Sequence, residues 1–459
     1  MDFCQHYLYK TYMLKKELLA AIILFILFQG CSSMLIKENN NFIKVKNTHL
    51  EFNGKPYYFT GTNFWYGCYL GSQTNPGNRE RLIRELDNLN SIGITNLRIM
   101  ASSEDSYIQK SLKPTIQNEP DVFNNDLLDG LDFLISEMKK RDMHAVIFLN
   151  NYWEWSGGMA VYNKWFNNGK VIDPYDSTQG WTAFMDYTAS FYKNEKANEY
   201  FKKYIKKIVT RENPYTGQFY FEDPTIMAWE LANEPRAGSL DNGFANLDNY
   251  YKWINEIAKY IHSIDPNHLV TTGSEGVIGS LLKEDIFLKA HESNYIDYAT
   301  FHLWAKNWNW FDAKKIDETY NTTEKNAIEY FNQHMILSRK LNKPIVLEEF
   351  GLPRDNENYN SGTPTSARDK YYEKLLSIVY DSASTGSPIA GTNFWAWTGE
   401  GRGKNDDNFW RVGDPFTGDP PHEPQGINSV YDTDSTTINI LKNHAAKMNI
   451  LNEKNIFNK

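Results

Sequence analysis

The sequence alternates eight times between a short apolar segment and a longer segment with helical spacing. The short segments are rich in β-branched and aromatic residues and occupy residues 57–66, 94–100, 143–151, 225–234, 268–276, 298–304, 344–351 and 390–397. The segments between them, such as NRERLIRELDNLNSIG and LLDGLDFLISEMKKRDM, carry apolar residues three and four positions apart. Alternating strands and helices favour parallel strands with helical crossovers, and eight such units favour closure. We therefore predict an α/β fold, a single (β/α)8 TIM barrel over residues 43–450.

An open, doubly wound sheet is the alternative architecture. Such sheets usually carry a glycine-rich phosphate turn after the first strand, and the first apolar segment leads into TGTNFWYGCYLGS, which has no G-x-G-x-x-G pattern. Two long loops stand out in the sequence. One runs from YWEWSGG to about residue 196, and the other is TGEGRGKNDDNFWRVGDPFTGDPPHEPQG after the eighth apolar segment. Loops of this length in a compact domain are usually functional.

The first 31 residues have the pattern of an export signal. Lys15 and Lys16 precede the apolar run LLAAIILFILF (residues 18–28), which is shorter than a membrane-spanning helix. The following FQGCSS places Gly30 before Cys31, as in a lipobox. We predict cleavage and lipidation at Cys31, with plain cleavage as the alternative, and a tether over residues 32–42. The protein would then be extracytoplasmic, either lipid-anchored at the cell envelope or secreted.

Composition narrows the class of partner. A net charge of −9 and a pI of about 5.7 argue against nucleic acid. Aromatic residues make up 15% of the chain, and their flat apolar faces match the C–H faces of sugar rings. Three cysteines are too few for a disulfide framework, which leaves Cys68 as a lone thiol. We expect a monomer that contacts a membrane only through its lipid anchor.

Polar and aromatic residues gather at the ends of the predicted strands. A barrel places its active site at the carboxyl ends of its strands. Each residue alone has an ordinary structural explanation, as a salt-bridge partner or a core side chain, but their joint placement favours one site. The residues are Arg98, Asn150, Asn151, Trp153, Asn233, Glu234, Glu275, His302, Trp304, Glu348, Glu349, Trp395 and Trp397.

Carboxylates on the fourth and seventh strands suit the cleavage of a glycosidic bond. One carboxyl would protonate the leaving oxygen while the other attacks the anomeric carbon or activates water. Arg98 and His302 would keep the second carboxylate ionised. Metal catalysis and a serine nucleophile are the alternatives. The chain has no H-x-H, no H-E-x-x-H and no G-x-S-x-G pattern, so we predict neither a metal nor a cofactor.

The segments WELANEPR and VLEEFG resemble the strand-end motifs of glycoside hydrolase family 5. GTNFWY, NYWEWSGG and GDPPHEPQG resemble its β-mannanase subfamily, subfamily 7, and the resemblance covers residues 43–450. It implies that Glu234 is the general acid/base and that Glu349, directly before Phe350 and Gly351, is the nucleophile. Strand alternation should point Glu348 and Glu349 to opposite faces, which supports the choice of Glu349.

The resemblance also implies the surroundings of the two carboxylates. Arg98, Asn151, Asn233 and His302 would be supporting polar groups. Arg236 would reach the leaving-group side, and Trp395 would be a sugar platform, with Trp153 nearby. Trp304 is a departure, because many members have Tyr there. An indole N–H donates one hydrogen bond and cannot accept one.

The activity implied is retaining hydrolysis of β-1,4-mannosidic bonds in mannan, glucomannan or galactomannan. An exo-acting β-mannosidase and a β-glucanase on the same scaffold remain alternatives. So does a surface glycan-binding lipoprotein without catalysis.

Overall fold

Eight parallel strands form a closed barrel in the computed structural model, which describes residues 41–453. The strands are β1 (Phe59–Asn63), β2 (Asn96–Met100), β3 (His144–Phe148), β4 (Ile226–Glu230), β5 (Leu269–Thr271), β6 (Ala299–Leu303), β7 (Ile345–Phe350) and β8 (Ile389–Phe394). Their hydrogen-bonded order is β5-β4-β3-β2-β1-β8-β7-β6, and a parallel bridge between Thr271 and Tyr298 joins the two ends. The predicted TIM barrel is therefore confirmed.

One major helix follows each strand and covers the outside of the barrel. The helices are α1 (Arg79–Ser91), α2 (Asn125–Lys139), α3 (Glu195–Val209), α4 (Leu247–Ile264), α5 (Glu284–His291), α6 (Ile316–Leu341), α7 (Ser366–Ser384) and α8 (Ser435–Glu453). The helical spacing of apolar residues predicted seven of these eight helices. It missed α5, which has only eight residues, too few for a clear period.

The connections contain further short elements that the sequence pattern did not predict. Three are α-helices at Gly67–Gly71, Gly158–Phe166 and Gly180–Ala189. Five are 3-10 turns at Glu154–Ser156, Ser190–Lys193, Tyr220–Glu222, Gly243–Asn246 and Asp355–Glu357. Short strands occupy Lys44–Lys46, His49–Phe52, Lys55–Pro56, Gln117–Glu119, Val122–Phe123, Glu212–Asn213, Gln218–Phe219, Trp397–Gly399 and Val430–Tyr431.

The hydrophobic core has an inner and an outer layer. The inner layer joins residues near the amino ends of the strands, such as Phe59, Val146 and Met227, to Ile43 and Leu50. Ile43 and Leu50 belong to the N-terminal hairpin, which is the segment 43–56 with its short antiparallel strands. The outer layer packs the helices against the barrel wall. The hairpin therefore closes the amino end of the barrel with apolar side chains, and only the carboxyl end remains for a site.

The strands are shorter than the apolar segments that predicted them. The segment 225–234 contains a strand only to Glu230, and β5 covers only Leu269–Thr271. Asn233, Glu234 and Glu275 lie beyond these ends, at the carboxyl end of the barrel.

Cys68 is buried and unpaired, as predicted. No helix among residues 41–453 is both long and apolar enough for a bilayer span. The predicted export signal, Cys31 and nearly all of the tether lie outside the described residues.

Candidate active site

A cavity of about 470 Å³ opens at the carboxyl ends of the strands. Seven of the predicted site residues line it: Trp153, Asn233, Glu234, Arg236, Trp304, Glu349 and Trp395. Glu275, which the sequence placed at a strand end, lines it as well. Nine more residues line it that were not predicted as site residues: Glu154, Trp155, Trp181, Ile278, Asn307, Trp308, Pro420, His422 and Glu423. All nine belong to the connections between strands and major helices, where no periodicity marks a side chain. The motifs NYWEWSGG and GDPPHEPQG were the available signal for several of them.

Glu234 lies four residues beyond β4 in a constrained backbone conformation. Its φ of 48° is left-handed, which is uncommon for a residue with a side chain and often found at functional sites. Its N–H donates to the carbonyl of Gly273 at 2.9 Å. A Cβ on Gly273 would lie 2.0 Å from the Ala232 carbonyl, so only glycine fits there. This packing fixes the Glu234 carboxyl in the cavity.

Glu349 accepts two hydrogen bonds from buried donors. One comes from Nη1 of Arg98, and the other from Nε1 of Trp304 at 3.0 Å. Trp304, the departure from the family pattern, therefore donates to this carboxylate. A guanidinium and an indole N–H on one carboxylate both favour its ionised form.

Glu234 and Glu349 lie close to each other and to His302. Each of the three offers a side-chain oxygen or nitrogen, and these atoms all lie within 4.8 Å of one another. Such a separation is typical of a retaining glycosidase, whereas an inverting enzyme needs a wider gap for the attacking water. The same three groups could also hold a cation, but the Arg98 guanidinium on Glu349 opposes a second positive charge there.

A β-bulge changes the direction of the side chains on β7. Leu347 pairs with Phe301 and Glu349 pairs with His302, so Glu348 is left over. An extra residue of this kind interrupts strand alternation. Glu348 Oε2 lies 3.7 Å from both Arg98 Nε and His302 Nε2. The expected alternation is therefore wrong here, because both glutamates turn into the barrel. Only Glu349 lines the cavity.

Arg98 connects the carboxylates beneath the cavity. Its Nε and Nη2 donate to Glu230 at 2.8 and 2.6 Å, and Nη2 also donates to Asn233 Oδ1 at 2.8 Å. Arg98 is fully buried and does not line the cavity. It therefore fixes the orientation of Glu349 and Asn233 from behind.

Asn151 and His302 also lie behind the cavity wall. Asn151 Oδ1 accepts from Asn233 Nδ2 at 3.1 Å, which orients the amide that lines the cavity. The His302 Nδ1 atom lies 2.6 Å from Glu234 Oε1. Asn151 and His302 are both buried and are absent from the cavity lining.

The carboxyls and His302 have strongly altered proton affinities. Burial raises the pKa of Glu349 to about 7, against the opposing charges of His302 and Arg98. Burial also acts on Glu234, but the hydrogen bond and charge of His302 outweigh it and lower its pKa to about 2. The pKa of His302 is raised to about 10 against burial, because carboxylates surround it. In the ligand-free site the proton between Glu234 and His302 therefore resides on the imidazole.

Two further carboxyls, those of Glu423 and Glu154, line the cavity. Burial raises the pKa of Glu423 to about 8, with Asp419, Glu349 and Glu154 adding to the shift. Glu154 Oε1 accepts from the Tyr175 hydroxyl at 2.8 Å. Glu154 Oε2 and His422 Nδ1 are buried and have no hydrogen-bond partner among residues 41–453.

An ion pair also lines the cavity, beside the Glu234 carboxyl. Arg236 Nη2 donates to Glu275 Oε2, and the guanidinium lies 4.9 Å from the Trp153 ring centroid. Trp153 Nε1 donates to Glu234 Oε2 at 2.5 Å. Glu275 is therefore part of the cavity wall and holds Arg236 beside the Glu234 carboxyl.

Comparison with known proteins agrees with this fold. The family model described as GH family 5 beta-mannosidase-like matches residues 40–453. Mannan endo-1,4-beta-mannosidase 4 of Solanum lycopersicum is 29% identical over 382 residues, 81% of this chain and 87% of the relative. Putative mannan endo-1,4-beta-mannosidase 9 of Oryza sativa subsp. japonica is 31% identical, over 78% of this chain and 81% of the relative.

Solved structures show the same relationship. A glycoside hydrolase family 5 mannosidase from Rhizomucor miehei superposes with a TM-score of 0.82 at 34% identity, covering 90% of this chain and 99% of that one. The endo-1,4-beta-mannanase from the same organism gives 0.65 at 25% identity, covering 89% and 99%.

The fold and the paired carboxylates at its mouth are those of a barrel glycoside hydrolase. The chain belongs to glycoside hydrolase family 5, in the group described as beta-mannosidase-like.

Proposed function

We propose that this protein hydrolyses β-1,4-mannosidic bonds with retention of configuration, as an endo-β-1,4-mannanase. The observation that carries the retaining mechanism is the pair Glu234 and Glu349, whose side-chain oxygens lie within 4.8 Å of each other. The names of the curated relatives, which are mannan endo-1,4-beta-mannosidases, support the substrate. The finer assignment to subfamily 7 rests on the motifs GTNFWY, NYWEWSGG and GDPPHEPQG.

In the first step Glu349 attacks the anomeric carbon while Glu234 protonates the leaving glycosidic oxygen. Arg98 and Trp304 keep Glu349 ionised and aimed. The proton for Glu234 comes from His302 Nδ1 across their 2.6 Å contact. The proton transfer leaves a neutral imidazole and a carboxylic acid, and the glycosyl–Glu349 ester forms as the glycosidic bond breaks.

In the second step Glu234, now a carboxylate, takes a proton from water. That water attacks the same anomeric carbon and releases Glu349. Asn233, which Arg98 and Asn151 hold in place, is positioned to hydrogen-bond a hydroxyl of the reacting sugar. Trp395 lines the cavity, so its indole offers a stacking face to a sugar ring.

Exo-acting β-mannoside hydrolysis is the second candidate. Glu154, His422 and Glu423 line the cavity, and the buried Glu154 Oε2 and His422 Nδ1 atoms, which have no partner among residues 41–453, suit the hydroxyls of a terminal sugar. A buried polar atom without a partner costs free energy unless a ligand satisfies it. The similarity to a family 5 mannosidase at 34% identity also favours this candidate.

Product analysis tests the activity and separates the two candidates. The chain from residue 32 would be incubated with linear mannan, galactomannan, glucomannan and a cellulose oligosaccharide. A ladder of manno-oligosaccharides supports endo action, and mannose alone supports exo action. Products from the cellulose oligosaccharide alone would indicate a β-glucanase. Binding of mannan without any product would overturn the proposal in favour of a glycan-binding lipoprotein.

The location and partners of the chain are proposed from the sequence alone. We propose export through residues 1–31, with Cys31 either lipidated or next to a plain cleavage site, and a monomer that needs no cofactor. Mass spectrometry of the mature N-terminus tests the anchor. A diacylglyceryl group on Cys31 supports it, and an unmodified N-terminus excludes it.

A further inference from the structure

A second concave surface lies outside the active site, on the exposed side of α6. The groove has a volume of about 700 Å³, and α5 contributes one edge. Its lining residues include Trp310, Asn326, Glu329, Asn332, Gln333 and Ile336. The mechanism described above uses none of them.

An edge-to-face aromatic contact joins the groove to the active-site cavity. Trp308 lines the cavity, and its ring centroid lies 4.9 Å from that of Trp310, which lines the groove. Tyr330, a second groove residue, lies 5.0 Å from Trp308 and donates its hydroxyl to the Glu275 carbonyl at 3.0 Å. The path thus leaves the cavity beside the Arg236–Glu275 pair.

The chemistry of the groove suits a neutral, hydroxyl-rich chain. Trp310 is half-buried and offers an aromatic surface, while Asn326, Asn332 and Gln333 offer amide donors and acceptors. Glu284 and Glu329 also line the groove, and each has a lysine nearby, Lys340 at 3.7 Å and Lys325 at 3.9 Å, so neither sign of charge prevails there. A neutral sugar would find both stacking and hydrogen-bonding groups in the groove.

We propose that this groove binds the reducing-end portion of a β-1,4-linked mannan chain, on the leaving-group side of the bond that is cut. This inference rests on the proposed function and extends its substrate from a short oligosaccharide to the polymer. Because Trp308 lines the cavity and contacts Trp310 in the groove, the polymer leaves the cavity over these two side chains. The groove gives polymer affinity under either endo or exo action.

Two measurements on the full chain test this proposal. Binding is measured with Glu349→Gln, which cannot cleave, by retardation in native gels that contain mannan. Adding Trp310→Ala should weaken mannan binding by about threefold to tenfold, the loss expected for one sugar–aromatic contact. In the active chain the same change should raise KM for mannan by a similar factor. The kcat/KM for an aryl β-mannoside, which is too short to reach the groove, should change less than about twofold.

A double variant and a control keep the result interpretable. Asn326→Ala with Asn332→Ala removes two amides from a helix surface without disturbing the core, and it should also weaken mannan binding. Phe219→Ala removes an exposed aromatic side chain from the α3–β4 connection, at the opposite end of the barrel, and should leave both measurements unchanged.

If the parent hydrolyses mannan but both groove variants bind mannan as tightly as the parent does, the groove proposal is overturned. If the parent does not hydrolyse mannan, the proposed function fails instead. A groove that binds other proteins would show no mannan-dependent retardation that Trp310→Ala can weaken, which also overturns the proposal.

Discussion

At the scale of single residues, the site is organised around one transferable proton. His302 carries this proton 2.6 Å from Glu234, and Glu349 has the guanidinium of Arg98 as its fixed counter-charge. The lowered pKa of Glu234 and the raised pKa of His302 both follow from the contact between these two side chains. Substrate binding has only to move the proton from nitrogen to oxygen, a short step within an existing contact.

The two carboxylates should respond differently to truncation. Glu234→Ala should lose roughly 10²–10⁴-fold in kcat/KM on mannan, because the leaving oxygen then lacks its acid. It should keep much of its activity on a dinitrophenyl β-mannoside, whose leaving group needs little protonation. Glu349→Ala should lose activity on both substrates. Steady-state kinetics on the two substrates measure the contrast, and equal losses in both variants on both substrates would contradict the assignment.

Trp304 should control the acid side of the pH profile. Glu349 must be ionised to attack, and burial raises its pKa, so activity should fall at low pH with a midpoint above the ordinary 4.5. Trp304→Phe removes an N–H that favours the carboxylate. The pKa should rise further, and the acid limb of kcat/KM should move to higher pH by about one unit.

The control for this change is Trp397→Phe, because Trp397 Nε1 donates to Glu85 and does not contact Glu349. An acid limb that stays in place in Trp304→Phe would show that this indole does not set the proton affinity of Glu349.

At the scale of elements, the loop after β8 is long but tightly bonded. Asp419 is buried and accepts from Gly426 N at 2.8 Å, Asn428 N at 3.0 Å and Ser429 Oγ at 2.5 Å. Gln425 Nε2 donates to the carbonyls of Asp419, Pro420 and Glu423. These bonds replace regular secondary structure and hold the wall formed by Pro420, His422 and Glu423.

Asp419→Ala should therefore loosen the wall. Two backbone N–H groups and a hydroxyl lose their acceptor, which should lower the free energy of unfolding by about 1–3 kcal/mol. KM for mannan should rise as well. Asp407→Ala on the same loop is the control, because Asp407 pairs with Arg411 in solvent, where such a pair contributes little. Denaturant unfolding measures the difference, and equal stabilities of the two variants would disprove this role of Asp419.

At the scale of the whole molecule, the last helix closes the fold onto the start of the barrel. Asn452 of α8 accepts from Tyr58 N at 2.7 Å and donates to the Tyr58 carbonyl at 2.9 Å. Tyr58 directly precedes β1, so this pair joins the two ends of the domain. The barrel therefore depends on a contact across nearly its whole sequence.

Asn452→Ala should lower the free energy of unfolding by about 1–3 kcal/mol, because two backbone groups of Tyr58 lose their partner. The kcat on an aryl β-mannoside should stay unchanged at temperatures where the variant remains folded. Asn449→Ala, an exposed position on the same helix, is the control and should change stability little. Thermal unfolding measures both variants, and coincident midpoints would contradict the role of this contact.

The sequence by itself determined the barrel and the location of its site. The short β-branched segments and the helical spacing between them are local patterns. The strand ends that these patterns define must meet at one end of the barrel. Glu234 and Glu349, with Arg98, Trp304 and Trp395, could therefore be named before any coordinates. Helix α5 was missed because eight residues give too little periodicity to recognise.

Only the tertiary structure decided which side chains face the cavity and which support it. The bulge at Glu348 depends on the register between β6 and β7, and neither strand encodes that register alone. Glu154 and Glu423 line one wall although 268 residues separate them in the chain, and Trp308 joins the cavity to a groove on α6. Loops carry no periodic signal, so their meeting points follow from the packing of the completed barrel.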